Sequence, residues 1–242
     1  MIRFFVGPED ISDSTIRLSD EDAEHIRALR LRPSELFTVC DGAGIDYLCR
    51  LGMAEKGNSV AEIIEKRASQ GEPTVSCCAY IAYAKGDRLE YAVQKSVELG
   101  VHDLILFPSE RCVSVPGTPA KKIARLSKIA LETAKQCGRG RVPVITALNS
   151  FSAATEQASR ASLPLFLYEC ENQFHLKQAL EQRDEIDTIS IVSGPEGGFE
   201  PHEAEYALSS GMISVSLGLR ILRCETAPVA ALAAVMFHTG NL

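Results

Sequence analysis

Two short segments near the C-terminus hold the residue types that could bind a flat ligand and move a proton. The first runs from Gly194 to Gly198 with the sequence Gly-Pro-Glu-Gly-Gly, and its glycines would let the backbone approach a ligand closely. It lacks both the G-x-G-x-x-G pattern and the Lys-Ser/Thr ending of a phosphate loop. The second runs from Leu217 to Ala227 and combines a glycine and two arginines with the carboxylate of Glu225. Carboxylates can act as general bases, and arginines recognise phosphates.

Each segment lies between a predicted strand and a predicted helix. The apolar runs Thr188 to Ser193 and Ile213 to Leu217 are typical of buried strands. A helix from about Pro201 to Ser210 follows the first segment, and a second helix begins after Thr226, a predicted N-cap, with Pro228 in its first turn. The predicted buried face of that second helix consists of Val229, Leu232, Ala233, Met236 and Phe237. Loops at the carboxyl ends of strands bind ligands in α/β proteins, so both segments are candidate binding loops.

The rest of the chain predicts a small β-rich unit followed by a parallel α/β domain. Residues 1–70 contain several strand candidates, with a hairpin signal from Asp41 to Gly44 and a helix from about Asp20 to Leu31 capped by Ser19. After a polar linker, strands and helices alternate through residues 75–242. This alternation predicts a parallel sheet covered by helices on both faces.

Composition limits the classes of protein that the chain could form. A net charge of −7 argues against a protein that coats nucleic acid indiscriminately, although the segment from Lys121 to Arg141 is strongly basic. The eight cysteines form no C-x-x-C pair, so we expect reduced thiols in a cytoplasmic protein and no metal site. No apolar run has the length of a membrane helix and no signal peptide is evident, so no membrane partner is predicted.

The two segments together resemble one enzyme family. Gly-Pro-Glu-Gly-Gly, a strand, and then Leu-Gly-x-Arg-x-Leu-Arg-x-Glu-Thr-Ala are similar to the motifs of the RsmE family, bacterial 16S rRNA uracil-N3 methyltransferases of the SPOUT (α/β-knot) superfamily. The resemblance implies a SPOUT-like parallel sheet with a C-terminal trefoil knot in residues 75–242, preceded by a PUA-like RNA-binding β-barrel in residues 1–70. It also implies S-adenosylmethionine as donor, 16S rRNA in the assembled small subunit as substrate, and a homodimer.

The resemblance also implies roles for individual residues. The donor is expected to contact three loops, whose residues are Leu167, Tyr168, Glu169, Ser193, Gly194, Gly197, Gly198, Leu217, Gly218, Ile221, Leu222, Arg223, Thr226 and Ala227. The RNA is expected to contact Arg27, Arg30, Arg111, Arg139, Arg141 and Arg220. Arg139 would lie just past a helix C-terminus, free to reach RNA. The simpler alternatives are tight turns for the glycines, core packing for Ile221 and Leu222, and a solvated basic face for the arginines.

Methylation of uracil N3 sets three requirements for the site. The base must be unpaired, the imide nitrogen must lose its proton, and the donor must be held in line. Glu225 is the first candidate for the general base and Glu196 the second, and Arg223 is a further catalytic candidate. The alternative for Glu225 is stabilisation of the first helical turn through the helix dipole. Two other functions stay open: a non-catalytic RNA-binding protein, and a nucleotide-dependent oxidoreductase, which the missing G-x-G-x-x-G disfavours.

Overall fold

The computed structural model describes residues 2–52, 59–183 and 185–242 of the 242-residue chain. The chain divides into two compact units. The first comprises Met1–Glu72 and Glu132–Val142, and the second comprises Pro73–Leu131 and Pro143–Leu242. Residues 132–142 therefore group with the N-terminal unit, although the predicted domain ranges assign them to the C-terminal one.

The first unit is built on a mixed sheet. Its strands are β1 (Arg3–Phe5), β2 (Thr15–Arg17), β3 (Phe37–Cys40), β4 (Ile45–Leu51) and β5 (Val60–Ala68). The strand order is β1-β3-β4-β5-β2, in which β1 runs parallel to β3 and the other pairs are antiparallel. Phe4, Ile16, Phe37 and Val39 lie in its core. Strand β2 was not predicted, because its short sequence has a single apolar residue, Ile16.

The predicted hairpin from Asp41 to Gly44 is confirmed, since it joins β3 to β4. The carboxylate of Asp41 accepts hydrogen bonds from the backbone N–H groups of Ala43 (2.8 Å) and Ile45 (3.0 Å). Asp side chains commonly close turns in this way, which explains why the turn could be predicted from local sequence.

The predicted N-terminus of the first helix is also confirmed. Helix α1 spans Asp20–Ala28, and Oγ of Ser19 accepts a hydrogen bond of 3.1 Å from the backbone N–H of Asp22. The helix ends before the predicted Leu31, at a turn in which Arg30 adopts a φ of 54°. This left-handed conformation cannot continue a right-handed helix.

The second unit is an α/β structure with a parallel sheet. Its strands are β6 (Ser76–Ala82), β7 (Leu104–Phe107), β8 (Ile145–Ala147), β9 (Leu163–Leu167), β10 (Thr188–Ser193) and β11 (Ile213–Val215). The strand order is β11-β9-β10-β6-β7-β8, with every pair parallel. The helices that follow α1 in the chain are α2 (Arg88–Glu98), α3 (Pro119–Cys137), α4 (Phe151–Ala158), α5 (Leu176–Glu181), α6 (Pro201–Ser209) and α7 (Ala227–His238).

Burial of the strands confirms the predicted parallel sheet. All residues of β7 and β9 are buried, as expected for strands covered on both faces. Phe166 on β9 and Phe199, which precedes α6, pack with ring centroids 4.6 Å apart. Ala154 and Ala158 of α4 belong to the same core cluster. This aromatic cluster lies directly beneath the loop that follows β10, because Phe199 ends that loop.

The predicted buried face of α7 is wrong in part. Leu232 and Met236 are buried as expected, but Phe237 is 74% exposed, and the other buried residues of the helix are Pro228, Ala231 and Val235. Helix α7 is apolar on nearly all sides, so a hydrophobic period cannot specify which side faces the core. Thr226 occupies the N-cap position as predicted, but its side chain makes no capping hydrogen bond.

Candidate active site

Three loops of the second unit meet at one edge of its sheet. Strands β11, β9 and β10 are neighbours, and Leu167 is paired with Val215 while Phe166 is paired with Val192. Because parallel strands end at the same edge, the loops that follow these three strands lie side by side. They line a cleft of about 770 Å³.

The cleft brings together most residues predicted to bind the donor or to catalyse. The predicted donor-binding residues that line it are Leu167, Tyr168, Glu169, Ser193, Gly194, Gly197, Gly198, Leu217, Gly218, Ile221, Leu222, Arg223 and Ala227. Thr226 is not among the lining residues. Glu196 and Glu225 line the cleft, as do Arg111 and Arg220 of the predicted RNA-binding set. Sequence reasoning missed several lining residues, among them Arg88, Cys170, Glu171, Asn172 and His175.

The glycine-rich loop after β10 is fixed by contacts within the protein. Gly198 has a φ of +70°, and a Cβ built there would lie 1.7 Å from Oε1 of Glu169. That carboxylate oxygen accepts a hydrogen bond of 3.1 Å from the backbone N–H of Phe199. A Cβ on Gly194 would lie 3.0 Å from the Phe199 ring. The glycines therefore serve the close packing of the tight turn that forms this wall of the cleft.

Arg111 connects the loop after β7 to the glycine-rich loop. Its Nε and Nη2 donate to the two carboxylate oxygens of Glu200 (2.7 and 3.0 Å), and its Nη1 donates to the carbonyl oxygen of Gly197 (3.0 Å). The hydrogen bonds from Arg111 hold the pKa of Glu200 below its ordinary value. Arg111 therefore has a structural partner in the loop, in addition to its place in the cleft wall.

A buried carboxylate strengthens the same connection. Glu203 on α6 accepts hydrogen bonds from Oγ of Ser109 (3.0 and 3.1 Å), from the backbone N–H of Glu110 (3.1 Å) and from that of Glu200 (2.9 Å). Its side chain is buried together with that of Ser109. The carboxylate thus joins the loop after β7 to the start of α6.

We expect Glu203→Gln to lower the free energy of unfolding by about 1–3 kcal/mol, because an amide NH₂ would replace an acceptor that faces buried donors. Urea titration followed by circular dichroism would measure the change. Glu205→Gln on the exposed side of the same helix is the matched control and should lie within about 0.5 kcal/mol of the wild type. Equal losses in the two variants would contradict the structural role of Glu203.

The loop between β11 and α7 presents its backbone to the cleft. Among the described residues, no backbone N–H of residues 219–225 donates to a protein acceptor. Leu219 and Ile221 are 99% and 85% exposed, so the alternative that Ile221 packs in the core is wrong. Exposed apolar side chains next to unpaired N–H groups are typical of a segment that meets a ligand or another chain.

Ser193 supplies a further polar group at the end of β10. Its side chain is 1% exposed, and its Oγ has no hydrogen-bond partner in the described part of the chain. Buried hydroxyl groups are usually hydrogen-bonded, so this unpaired one beside the cleft is a candidate partner for a bound ligand.

Two carboxylates meet one guanidinium in the cleft wall. Oε1 of Glu196 accepts hydrogen bonds from Nη1 of Arg88 (2.7 Å) and from the backbone N–H of Lys85 (2.8 Å). Burial raises the pKa of Glu196, but hydrogen bonds from the backbone N–H groups of Lys85 and Glu196 and from Arg88 outweigh it, so the pKa is lowered. Oε2 of Glu225 lies 3.8 Å from Nε of Arg88.

Cys224 is a hydrogen-bond donor at this site and not a nucleophile. Burial raises the pKa of its thiol to about 12, so the sulfur stays protonated at neutral pH. The thiol donates to Oε2 of Glu225 over 3.3 Å.

The remaining predicted RNA-binding arginines belong to the first unit. Arg27 and Arg30 are exposed. Arg139 is only 3% exposed and donates to Glu72 (2.7 Å), whose carboxylate also accepts from the backbone N–H groups of Gly140 and Arg141 (3.0 Å each). The prediction that Arg139 is free to reach RNA is therefore wrong, because this ion pair occupies its guanidinium. Arg141 is half-buried, and its backbone forms bridges to residues 42 and 43.

The described residues show neither a cluster of metal ligands nor a membrane-spanning helix. No group of three or more His, Cys, Asp or Glu side chains there could hold a metal ion. None of the helices in the same residues is both long and apolar enough to span a membrane.

Family models and a known relative match most of the length of this chain. A family model described as an RNA methyltransferase domain matches residues 71–236, and one described as an RNA methyltransferase PUA domain matches residues 18–64. A ribosomal RNA small subunit methyltransferase E from Mesomycoplasma hyopneumoniae (strain 232) is 32% identical over 95% of this chain and 96% of that protein.

Solved structures show the same similarity over the full fold. The crystal structure of a ribosomal RNA small subunit methyltransferase E from Neisseria gonorrhoeae bound to S-adenosyl methionine has a TM-score of 0.83 and 33% identity, covering 98% of this chain and 97% of that one. A putative methyltransferase from Legionella pneumophila with bound cofactor has a TM-score of 0.82 and 26% identity over the same shares. The predicted fold, a PUA-like unit and a SPOUT-type α/β unit, is confirmed. The chain belongs to the ribosomal RNA small subunit methyltransferase E family.

Proposed function

We propose that the protein transfers a methyl group from S-adenosylmethionine to N3 of a uridine in 16S rRNA, within the assembled small ribosomal subunit in the cytoplasm. The observation that carries this proposal is the cleft in which a candidate base, Glu225, lies beside unpaired backbone donors and exposed arginines. The relatives from Neisseria gonorrhoeae and Legionella pneumophila, which match nearly the whole chain, have S-adenosylmethionine bound.

The residues of the cleft fit such a donor. The unpaired Oγ of Ser193 and the free N–H groups of residues 219–225 offer hydrogen bonds to its polar groups. Gly194 and Gly198 allow a flat ring to lie close to the backbone. The bound donor supplies an electrophilic methyl group on sulfur. The protein contributes position, which accounts for a large share of the rate in a transfer of this kind.

Glu225 is better suited to remove the N3 proton than Glu196. The hydrogen bonds that Oε1 of Glu196 accepts from Arg88 and Lys85 help to lower the pKa of this carboxylate, which makes it a weaker base. In the proposed step a Glu225 oxygen takes the N3 proton, and the N3 electron pair forms the bond to the methyl carbon. The carbon–sulfur bond breaks with its electrons on sulfur, leaving a neutral thioether, and Glu225 later returns its proton to water.

The arginines at the cleft mouth suit the charges of the substrate. Arg220 and Arg223 are exposed and line the cleft. Loss of the N3 proton spreads negative charge over the uracil carbonyl oxygens, and Arg223 can stabilise that charge. Arg220 is an exposed cation that suits phosphate groups, and Arg27 and Arg30 of the PUA-like unit are exposed as well.

The homodimer is part of the same proposal, and the surface of α7 supports it. Phe237 is 74% exposed although the helix carries no charged residue before His238. Leu219 and Ile221, also strongly exposed, precede the same helix. Such apolar exposure is typical of a surface that a second subunit covers.

We expect the wild-type protein to have the mass of a dimer by size-exclusion chromatography with light scattering, and Phe237→Glu to shift it to the monomer. A buried carboxylate at an apolar interface would have no partner, which costs several kcal/mol. Leu208→Glu is the matched control, since Leu208 on α6 is also an exposed apolar residue. Dissociation of both variants, or of neither, would contradict an interface on α7.

The reaction is tested by incubating the protein with methyl-labelled S-adenosylmethionine and small ribosomal subunits that lack the modification. The RNA is digested and the labelled nucleoside identified by mass spectrometry. We expect label in 3-methyluridine. Label in another nucleoside would overturn the specificity but not the donor. Absence of both label and donor binding would overturn the methyltransferase assignment, and the non-catalytic alternative finds no support among the relatives.

A further inference from the structure

The backbone of Arg88 is anchored at the wall of the cleft. Arg88 is the first residue of α2, and the buried side chains of Leu89, Ala92 and Val93 anchor the start of this helix in the core. Helix α2 also packs against α7, the helix that Glu225 precedes. The backbone that carries the guanidinium is therefore fixed relative to the loop that carries Glu225.

The guanidinium itself is oriented by Glu196. Nη1 of Arg88 lies 2.7 Å from Oε1 of Glu196, and the backbone N–H of Lys85 donates to the same oxygen over 2.8 Å. The second donor fixes the carboxylate, so the carboxylate fixes the plane of the guanidinium. The planar guanidinium group has several N–H donors and can interact with two carboxylates at once. A lysine ammonium group cannot do so with the same geometry.

The free edge of this fork faces the candidate base. Nε of Arg88 is 3.8 Å from Oε2 of Glu225, and the thiol of Cys224 donates to that same oxygen. The ion pair with Arg88 and the hydrogen bond from the thiol both involve this one oxygen of the carboxylate. One cation thus lies between two carboxylates that belong to two different loops, the glycine-rich loop and the loop before α7.

We propose that Arg88 is a positioning residue for the methyl transfer, which orients the Glu225 carboxylate toward the substrate, and that Glu196 serves to orient Arg88. This inference rests on the proposed function, in which Glu225 removes the N3 proton. It assigns Glu196 a supporting role and adds Arg88, which no sequence motif singled out. Misplacement of a reacting group by about 1 Å can cost about 10²-fold in rate, so the effect of losing Arg88 should be large.

A double-mutant cycle tests the inference. We expect Arg88→Ala to lower kcat by about 10²-fold with the dissociation constant of S-adenosylmethionine unchanged by isothermal titration calorimetry. Arg88→Lys should recover only part of this loss. In the Glu225→Gln background, Arg88→Ala should have no further effect, because groups that act as a unit are not additive. Arg50→Ala, which removes an arginine from an exposed ion pair with Glu62, is the control and should leave kcat unchanged.

The outcomes separate this inference from the proposed function. Additive effects of Arg88→Ala and Glu225→Gln, or a loss of donor affinity equal to the loss of kcat, would overturn the positioning role while the reaction stands. Crystal structures of the wild type and Arg88→Ala give a readout that needs no activity. We expect the Glu225 carboxylate to move by about 1 Å or more in the variant, and an unmoved carboxylate would overturn the inference.

Discussion

Glu225→Gln is expected to lower kcat by about 10²–10⁴-fold while S-adenosylmethionine binds with unchanged affinity. The substitution keeps the shape of the side chain and its contact with the thiol of Cys224, but an amide cannot take the N3 proton. Single-turnover methylation of small subunits would measure the rate, and isothermal titration calorimetry would measure the donor affinity.

The alternative role of Glu225, stabilisation of the first turn of α7, predicts a different result. An interaction between a carboxylate and the helix dipole contributes at most about 2 kcal/mol in a partly buried geometry such as that of Glu225, whose side chain is 18% exposed. A 10²-fold loss of rate corresponds to about 2.7 kcal/mol, so the dipole cannot account for it. Equal losses of donor affinity and kcat, with a lower free energy of unfolding, would show that Glu225 is structural and not the base.

The loops of the site could be predicted because their signals are local. The strand Thr188–Ser193 has the predicted bounds, and the glycines that follow it and the helix beginning at Pro201 lie within a few residues of one another. The positions at which a strand, loop or helix begins and ends depend on residues that are close in sequence. The sequence could therefore identify which loops carry chemistry without knowledge of the sheet order.

The partners of individual side chains could not be predicted, because they lie far apart in the chain. Arg139 lies just past a helix C-terminus, as predicted, but its guanidinium pairs with Glu72, which is 67 positions away. Arg88 and Glu196 are separated by 108 positions. A local sequence pattern shows that a residue is charged but not which group it pairs with. An arginine that binds RNA therefore cannot be distinguished in this way from one that pairs within the protein.

The orientation of α7 shows a different limit. A hydrophobic period locates a buried face only when the opposite face is polar. Phe237 breaks the prediction because the chain uses apolar residues on both sides of this helix, one side against the core and one side exposed. The sequence pattern could not identify the exposed apolar side of α7, and in the proposed dimer the second subunit covers that side.

Gly198→Ala is expected to weaken S-adenosylmethionine binding by about 10–100-fold and to lower the free energy of unfolding by about 1–3 kcal/mol. The residue has a φ of +70°, where a Cβ is strained, and that Cβ would lie 1.7 Å from Oε1 of Glu169. The carboxylate can swing away, but it then loses its hydrogen bond to the backbone N–H of Phe199. Calorimetric titration and urea unfolding would measure the two effects.

Gly211→Ala separates backbone strain from the contact with Glu169. Gly211 has a φ of +92° but nothing within 4 Å of an added Cβ, and it closes α6 without lining the cleft. It should therefore lose stability through strain alone and bind the donor normally. If Gly198→Ala also keeps normal donor affinity, the wall formed by Gly198 and Glu169 does not contact the donor. If its affinity falls as expected, the close packing of Gly198 against Glu169 is what shapes this side of the donor site.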